Sequence, residues 1–371
     1  MENLHIYTVP LGASMREEFC EELLKLPAGA GIMVLPTGLL QNEVKQKYNL
    51  PCSGFDTMAT KIINLNGYVH LNEINRNCQE LLIEDLLQTY EDSFEYFKNM
   101  KDKQGFVNNM TSLLGQFARS GAKAEEIKLA FDNWDRKGLS RLKDNEVSDL
   151  YLKYRQYLKL NDMFDLEGKC RLALKILQDQ EQPRIPWNYV YISDFATLDA
   201  LQLEFLLALA EHCEVKVGIC YNTAQSIFEA STKTLERLAG ASKPEAKAGR
   251  APRRTVALQH LVENIGKTLP LKASVQAQEL EIREYKDQKK EIEGVLAEIK
   301  EKVLAGAKLS DFVVAVRNLA DYSGLRRCAD KLGLPVNLAE SMALAAQPLT
   351  ELLQLLLLAV AVLSRAELPT P

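Results

Sequence analysis

Apolar positions along this chain follow two different periods, and the change from one to the other divides the sequence. Residues 189–192 (YVYI) are a short β-rich run, 201–210 (LQLEFLLALA) is helical in composition, and 215–220 (VKVGIC) is a second run rich in β-branched residues. Two strands joined by a helix predict a right-handed βαβ unit and a parallel sheet. The amino-terminal pattern is of the same kind. It predicts a strand over 5–10, a helix over 15–26, a strand over 32–35, and helices over 39–48 and 55–64 on either side of Pro51-Cys52-Ser53-Gly54. That order is the start of a doubly wound α/β domain.

Between these halves the period is 3.6. Leu81, Leu82, Leu86 and Tyr90 step at helical spacing, as do Phe106, Met110, Leu113, Leu114 and Phe117, and then Tyr151, Tyr154 and Leu158. This predicts a helical insertion over 72–182, inside the first domain because the α/β pattern resumes at Trp187. Residues 240–255 (GASKPEAKAGRAPRRT) read as a surface loop or linker. Beyond it the pattern predicts strands over 280–285, 312–316 and 335–338 and helices over 287–304 and 322–332, a second α/β unit. The apolar run 349–363 is about 15 residues, short of the ~20 that span a bilayer, and Glu351 and Gln354 interrupt it. It reads as a buried core helix or one whose partner surface is missing. Residues 365–371 then read as a natural terminus or a cut at a domain boundary. The predicted division is 1–71 and 183–239 for the two halves of the first domain, 72–182 for the insertion, 240–278 for a linker, and 279–371 for part of a second domain.

Composition narrows the function. A chain of 371 residues holds two or three domains. A net charge of −5 argues against a generally basic nucleic-acid coat, though not against a local basic groove. Seven cysteines are scattered with no C-x-x-C, and the four histidines are dispersed, so no metal site is predicted and the thiols read as reduced, in the cytoplasm. Residues 1–10 lack the basic and apolar regions of a signal peptide, and no contact with a membrane is expected.

The candidate chemistry lies at strand ends, where open α/β sheets bind ligands. A phosphate loop needs G-x-x-x-x-G-K-[ST], so that backbone amides and a lysine meet the phosphates. Here the turn is Pro10-Leu11-Gly12-Ala13-Ser14, with Met15 where the lysine belongs and Arg16 beside it. The simpler reading is a strand–turn–helix without nucleotide. At the end of the 189–192 strand stands Ser193-Asp194, where a nucleotide-hydrolysing motor carries an Asp-Glu pair for Mg²⁺ and the attacking water. Asp194 reads first as a cap of the next helix. Trp134 and Trp187 read as core. Lys153, Arg155 and Lys159 interleave with Tyr151, Tyr154 and Tyr157, and Arg250, Arg253 and Arg254 cluster in the linker; these six are the candidate phosphate-backbone contacts.

The order of these elements resembles the amino-terminal part of a superfamily-one helicase, and more closely the degenerate AddB/RexB member of the bacterial AddAB/RexAB ATP-dependent helicase–nucleases. Ile192-Ser-Asp-Phe195, with Gln202 seven residues on, resembles helicase motif II. Gly54-Phe-Asp-Thr-Met-Ala-Thr-Lys-Ile-Ile63 resembles the family's F-x-x-L/M-A-x-x-I helix. Asp311-Phe-Val-Val-Ala-Val-Arg317 resembles the motif IV strand, whose arginine faces the nucleotide cleft. Gly333-Leu-Pro-Val-Asn337, followed by Gln347-Pro-Leu-Thr-Glu-Leu-Leu353, resembles the G-I-P segment and the next helix. The resemblance implies a P-loop NTPase (RecA-like) motor domain with a large helical insertion, plus part of a second RecA-like domain. It places Gly12, Ser14, Arg16, Asp194, Gln202 and Arg317 around a vestigial nucleotide site. With the lysine and second acid missing, no catalytic residue and no cofactor are assigned; ATP and Mg²⁺ enter only if the phosphate loop is atypical. The implied function is a helicase-like component in repair of DNA double-strand breaks, holding single-stranded DNA weakly and pairing with a motor subunit of AddA type. The alternatives are a nucleotide-dependent ATPase with an unusual loop and a protein-interaction scaffold.

Overall fold

In the computed structural model, which describes residues 1–100, 103–272, 278–338 and 348–366, the chain divides into two compact units, Met1–Ala277 and Gln278–Pro371. Gln347, residues 273–277 of the expected linker and residues 367–371 lie outside the described residues.

The first unit is built on strands β1 (Leu4–Val9), β2 (Gly31–Val34), β3 (Cys52–Ser53), β4 (Asn72–Glu73), β5 (Met163–Phe164), β6 (Tyr189–Ile192), β7 (Glu214–Cys220) and β8 (Glu245–Ala246). Six of them form one parallel sheet in the order β3-β2-β6-β7-β1-β8, and β4 pairs with β5 apart from it. The strands predicted on either side of the helical stretch are neighbours, with Ile32 opposite Val190 and Val34 opposite Ile192. Helices α1 (Arg16–Leu23), α2 (Gly38–Tyr48) and α3 (Phe55–Leu65) follow the first strands. Strand alternation sends Ile32, Val34, Val190 and Ile192 into one core cluster with α3, and Met33, Leu35 and Tyr191 into the opposite one with Phe19 and Val44. Central strands of a parallel sheet are covered on both faces, which is why β2 and β6 are apolar at every position.

The helical stretch comprises α4 (Arg76–Thr89), α5 (Gln104–Arg119), α6 (Ala124–Asp132), α7 (Leu139–Leu160) and α8 (Leu166–Asp179). The first four surround their own core of Leu87, Val107, Leu114, Leu150, Tyr151 and Tyr154. Helix α8 instead buries Ala173, Leu174 and Leu177 in the sheet's core, beside α9 (Ala200–Ala210). Tyr151, Tyr154 and Leu158 share one buried face of α7, as their spacing requires. Trp187 is buried under Lys61, whereas Trp134 is 52% exposed on the loop between α6 and α7, with the Arg136 guanidinium stacked on its ring at 3.8 Å. The expectation of a core Trp134 fails because α6 ends at Asp132, so the helical apolar face stops before it.

Helices α10 (Glu229–Ala241) and α11 (Val256–Asn264) complete the first unit. The stretch 240–255, expected as a surface loop, supplies β8, the edge strand beside β1. Two residues carry no readable β pattern; pairing with an existing edge makes them a strand.

The second unit contains α12 (Gln288–Leu304), α13 (Leu325–Lys331) and α14 (Pro348–Ala366), with a small core of Ile292, Leu296, Leu325, Ala329 and Leu334. The strands expected over 280–285, 312–316 and 335–338 form no ladder among the described residues, and Ile282 and Val313 are exposed. A β-branched run becomes a strand only where a neighbour accepts its backbone bonds. Leu352, Leu353 and Leu355–Leu358 of α14 are exposed, so the expectation of a core helix is not met among the described residues. None of the described helices is long and apolar enough to cross a membrane.

Candidate functional site

The turn after β1 is where the sequence places a phosphate loop, and its local structure follows from few residues. Gly12 takes a left-handed φ of +70°, which lets the chain reverse into α1. Met15 is only 3% exposed and packs directly on Gly218 of β7, where any Cβ would collide with it. The position of the missing lysine is therefore a core position. Arg16 points across the strand ends, its guanidinium 3.5 Å from Asp194 and 3.6 Å from Glu43. Asp194 itself adopts φ +64°, a conformation Asp tolerates better than most residues, and its buried Oδ2 takes no hydrogen bond apart from that ion pair. The Ser14 Oγ accepts from the Arg16 amide at 3.0 Å and lies 3.4 Å from the hydroxyl of buried Ser193.

Ser14, Arg16 and Asp194 thus lie together beside the Gly12 turn. Gln202 does not join them. It forms a capping box at the start of α9, its amide donating to Asp199 at 2.8 Å and its side chain accepting from the Asp199 amide at 3.1 Å. Asp199, rather than Asp194, caps that helix. Arg317 belongs to the second unit, exposed after the 312–316 segment.

Basic residues of the linker lie on the same turn. Arg254 donates from Nη2 to the Gly12 carbonyl at 2.8 Å, and Arg250 pairs with Glu17 at 3.2 Å and Glu21 at 2.5 Å on α1. Arg253 between them is exposed. On α7, Arg155 is held by buried Asp165, which also accepts from the Tyr154 hydroxyl and the Gly168 amide. Lys153 stacks over the Tyr90 ring at 3.8 Å, where burial lowers its pKa. Lys159 stays exposed and lines a cavity of about 540 Å³ with Arg155 and Arg171.

A second feature had no separate signal in the sequence. A cavity of about 230 Å³ opens at the carboxyl edge between β2 and β6, where α5 and α8 approach the sheet. Phe55 and Phe195 meet edge to face in its wall, and Asp56, Arg119, Asp199 and Gln202 bring polar groups to it. Burial pushes the Asp199 carboxyl up and the Cys170 thiol up to about 12. Arg119 binds Glu167 at 2.7 Å, and both also line an adjoining cavity of about 450 Å³ with Asn75, Arg76, Gln116 and Lys169. Together they make a groove, aromatic at the sheet and polar along the helices. Among the described residues, no three His, Cys, Asp or Glu side chains converge as a metal-ligand set.

Relatives give this architecture a context. The chain is 24% identical over 318 residues to a protein of Listeria monocytogenes serotype 4a (strain HCC23), a match covering 81% of this chain and 27% of that protein. It is 25% identical over 346 residues to one from Carboxydothermus hydrogenoformans, covering 88% and 31%, and 21% identical over 371 residues to one from Bacillus licheniformis, covering 91% and 32%. All three are named as the B subunit of an ATP-dependent helicase/deoxyribonuclease. The chain spans between about a quarter and a third of their length. The family described as ADDB, N-terminal, matches residues 39–251. That match takes in more than half of the chain, from α2 to the segment that follows β8, and the chain belongs to this AddB amino-terminal family.

Proposed function

We propose that this chain is the motor-like amino-terminal part of an AddB-type component of a bacterial helicase–deoxyribonuclease, acting in the cytoplasm in repair of DNA double-strand breaks. In this reading the first unit derives from a P-loop NTPase (RecA-like) domain that no longer hydrolyses ATP. It binds single-stranded DNA weakly and pairs with a motor subunit of AddA type. The observation that carries the reading is Met15. In a working phosphate loop a lysine at this point of the turn meets phosphate; here Met15 is packed on Gly218 instead. ATP with Mg²⁺ does not fit the remaining residues. Arg16 is engaged by two carboxylates, one acid of the strand-end pair is replaced by buried Ser193, and the Ser14 hydroxyl already bonds within the turn.

The support for DNA is the groove beside half-buried Phe195, backed by Phe55 of the core, which combines an aromatic ring with Arg76, Arg119 and Lys169. Stacking surfaces and cations along a channel are what single strands require. The ion pairs these cations make with Glu80, Glu167 and Glu73, with Asp56 and Asp199 beside them, leave the groove no net positive charge, hence the weak affinity. Fluorescence anisotropy with a labelled oligonucleotide at several salt concentrations, with ATP turnover followed in parallel, tests the reading. The expected dissociation constant is micromolar or weaker, falling in strength with salt by a log–log slope near −0.7 per phosphate contacted. Arg76→Glu is expected to flatten that slope. DNA-stimulated turnover of about 1 s⁻¹ or above would favour the atypical-loop ATPase. Absence of binding at low salt would favour the scaffold.

A further inference from the structure

We infer that residues 245–254 are a built-in occupant of the phosphate-loop position, an intramolecular strap that closes the Gly12 turn and holds it without nucleotide. The inference rests on the reading of that turn as a vestigial phosphate loop.

The strap follows β1 from its edge to its end. Glu245 and Ala246 pair with Tyr7 and Thr8, and the Lys247 amide donates to the Thr8 carbonyl at 2.9 Å. Gly249, at φ +63°, lets the backbone lie against Val9 and the Ser14 carbonyl, where a side chain would collide. Arg250 and Ser14 then exchange two backbone bonds, of 3.0 and 2.9 Å. The Arg250 guanidinium clamps Glu17 and Glu21, and Arg254 comes down on the Gly12 carbonyl.

The polarity of the turn is the decisive point. A phosphate loop works by aiming free N–H groups at an anion. Here the Ala13 amide donates to the Pro10 carbonyl, the Ser14 amide to the Arg250 carbonyl, and the Arg16 amide to the Ser14 hydroxyl. Gly12 offers a carbonyl instead, and a guanidinium donates to it. The turn has become a cation site filled from 242 residues away in the same chain. A bound phosphate would have to break the Ser14–Arg250 bridge and displace Arg254.

Hydrogen exchange of the full 371-residue chain, read by mass spectrometry on peptides covering 10–16 and 247–251, tests this. Slow exchange is expected in both, unchanged by millimolar Mg-ATP or inorganic triphosphate. Arg254→Ala is expected to speed exchange in both peptides about tenfold, the effect of losing one charge-assisted hydrogen bond, with a β6 peptide unaffected. Protection of 10–16 by Mg-ATP in the wild-type chain overturns the proposal, as does an Arg254→Ala variant with both peptides unaltered. Should Arg254→Ala fail to fold, Arg254→Lys serves, since a single ammonium cannot reproduce the fork of the guanidinium, and the wild-type nucleotide arm decides independently. None of these measurements uses DNA or turnover. A strap that fails in the Arg254→Ala arm therefore leaves the silent-motor reading standing, protection by Mg-ATP removes the strap and the misfit of ATP together, and turnover with an intact strap removes only the silent-motor reading.

Discussion

At the scale of single residues, the contrast between Met15 and Arg16 carries the chemistry. Both stand at the start of α1, one turned into the sheet and the other across its carboxyl edge. Met15→Lys, which supplies the side chain a phosphate loop would have, is expected to lower stability by several kcal/mol, because an ammonium would replace a thioether in a closed core. It is expected to produce no ATPase activity. Urea denaturation with a turnover assay checks both; an unaltered midpoint together with new turnover would show that the side chain can swing out to the turn. Met15 was legible as a departure from the lysine, since that needs only the sequence. Its burial was not, because Gly218 lies 203 residues further along the chain. The same holds for Arg254, readable as one cation of a cluster but not as the partner of Gly12.

At the scale of elements, β2 and β6 were legible because central parallel strands are apolar throughout, β7 because Val215, Val217 and Ile219 are β-branched and alternate, and α4–α7 because each buries one face. The two-residue strands β3, β4, β5 and β8 were not, since tertiary pairing alone makes them. The segment 312–316 shows the reverse error, a β-branched run with no ladder among the described residues. Loops between helices are set in the same non-local way. Glu146 of α7, buried, accepts from the amides of Glu95, Tyr96 and Phe97 at 2.7, 2.6 and 3.0 Å, and so fixes the segment joining α4 to α5. Glu146→Ala would strand the amide of buried Phe97 and weaken the hold on the other two, and is expected to destabilise by about 1–3 kcal/mol, the cost of one buried unsatisfied group. Glu146→Gln keeps an acceptor oxygen and should lose less. Equal urea midpoints for the two variants would mean that volume, not hydrogen bonding, holds the segment.

At the scale of the whole molecule, the first unit's buried thiols make its stability depend on pH. Cys213, just before β7, and Cys170, on α8 beside the aromatic cavity, are each pushed up to about 12 by burial, from an ordinary value of 9.0. The sign follows from which state binds more protons. Below pH 9 both folded and unfolded thiols are protonated and nothing changes. Above it the unfolded chain sheds protons that the folded chain keeps, so stability falls as pH rises from 9 towards 12. Each thiol contributes a slope of up to about 1.4 kcal/mol per pH unit in that window. Two such thiols are enough to matter against a domain stability of about 5–15 kcal/mol. Buried Tyr191, raised from 10.0 to about 12, adds to the slope only above pH 10. Urea midpoints measured at pH 8, 9, 10 and 10.5 should therefore be level at first and then decline. Surface lysines losing their carboxylate partners would also weaken the fold at high pH, so the double variant Cys170→Ala and Cys213→Ala is the control. It should start less stable, because two side chains leave the core, yet decline less steeply above pH 9. Parallel declines in the two proteins would assign the alkaline weakness to other groups, the ion pairs or the thiols of Cys20 and Cys52, which burial also raises.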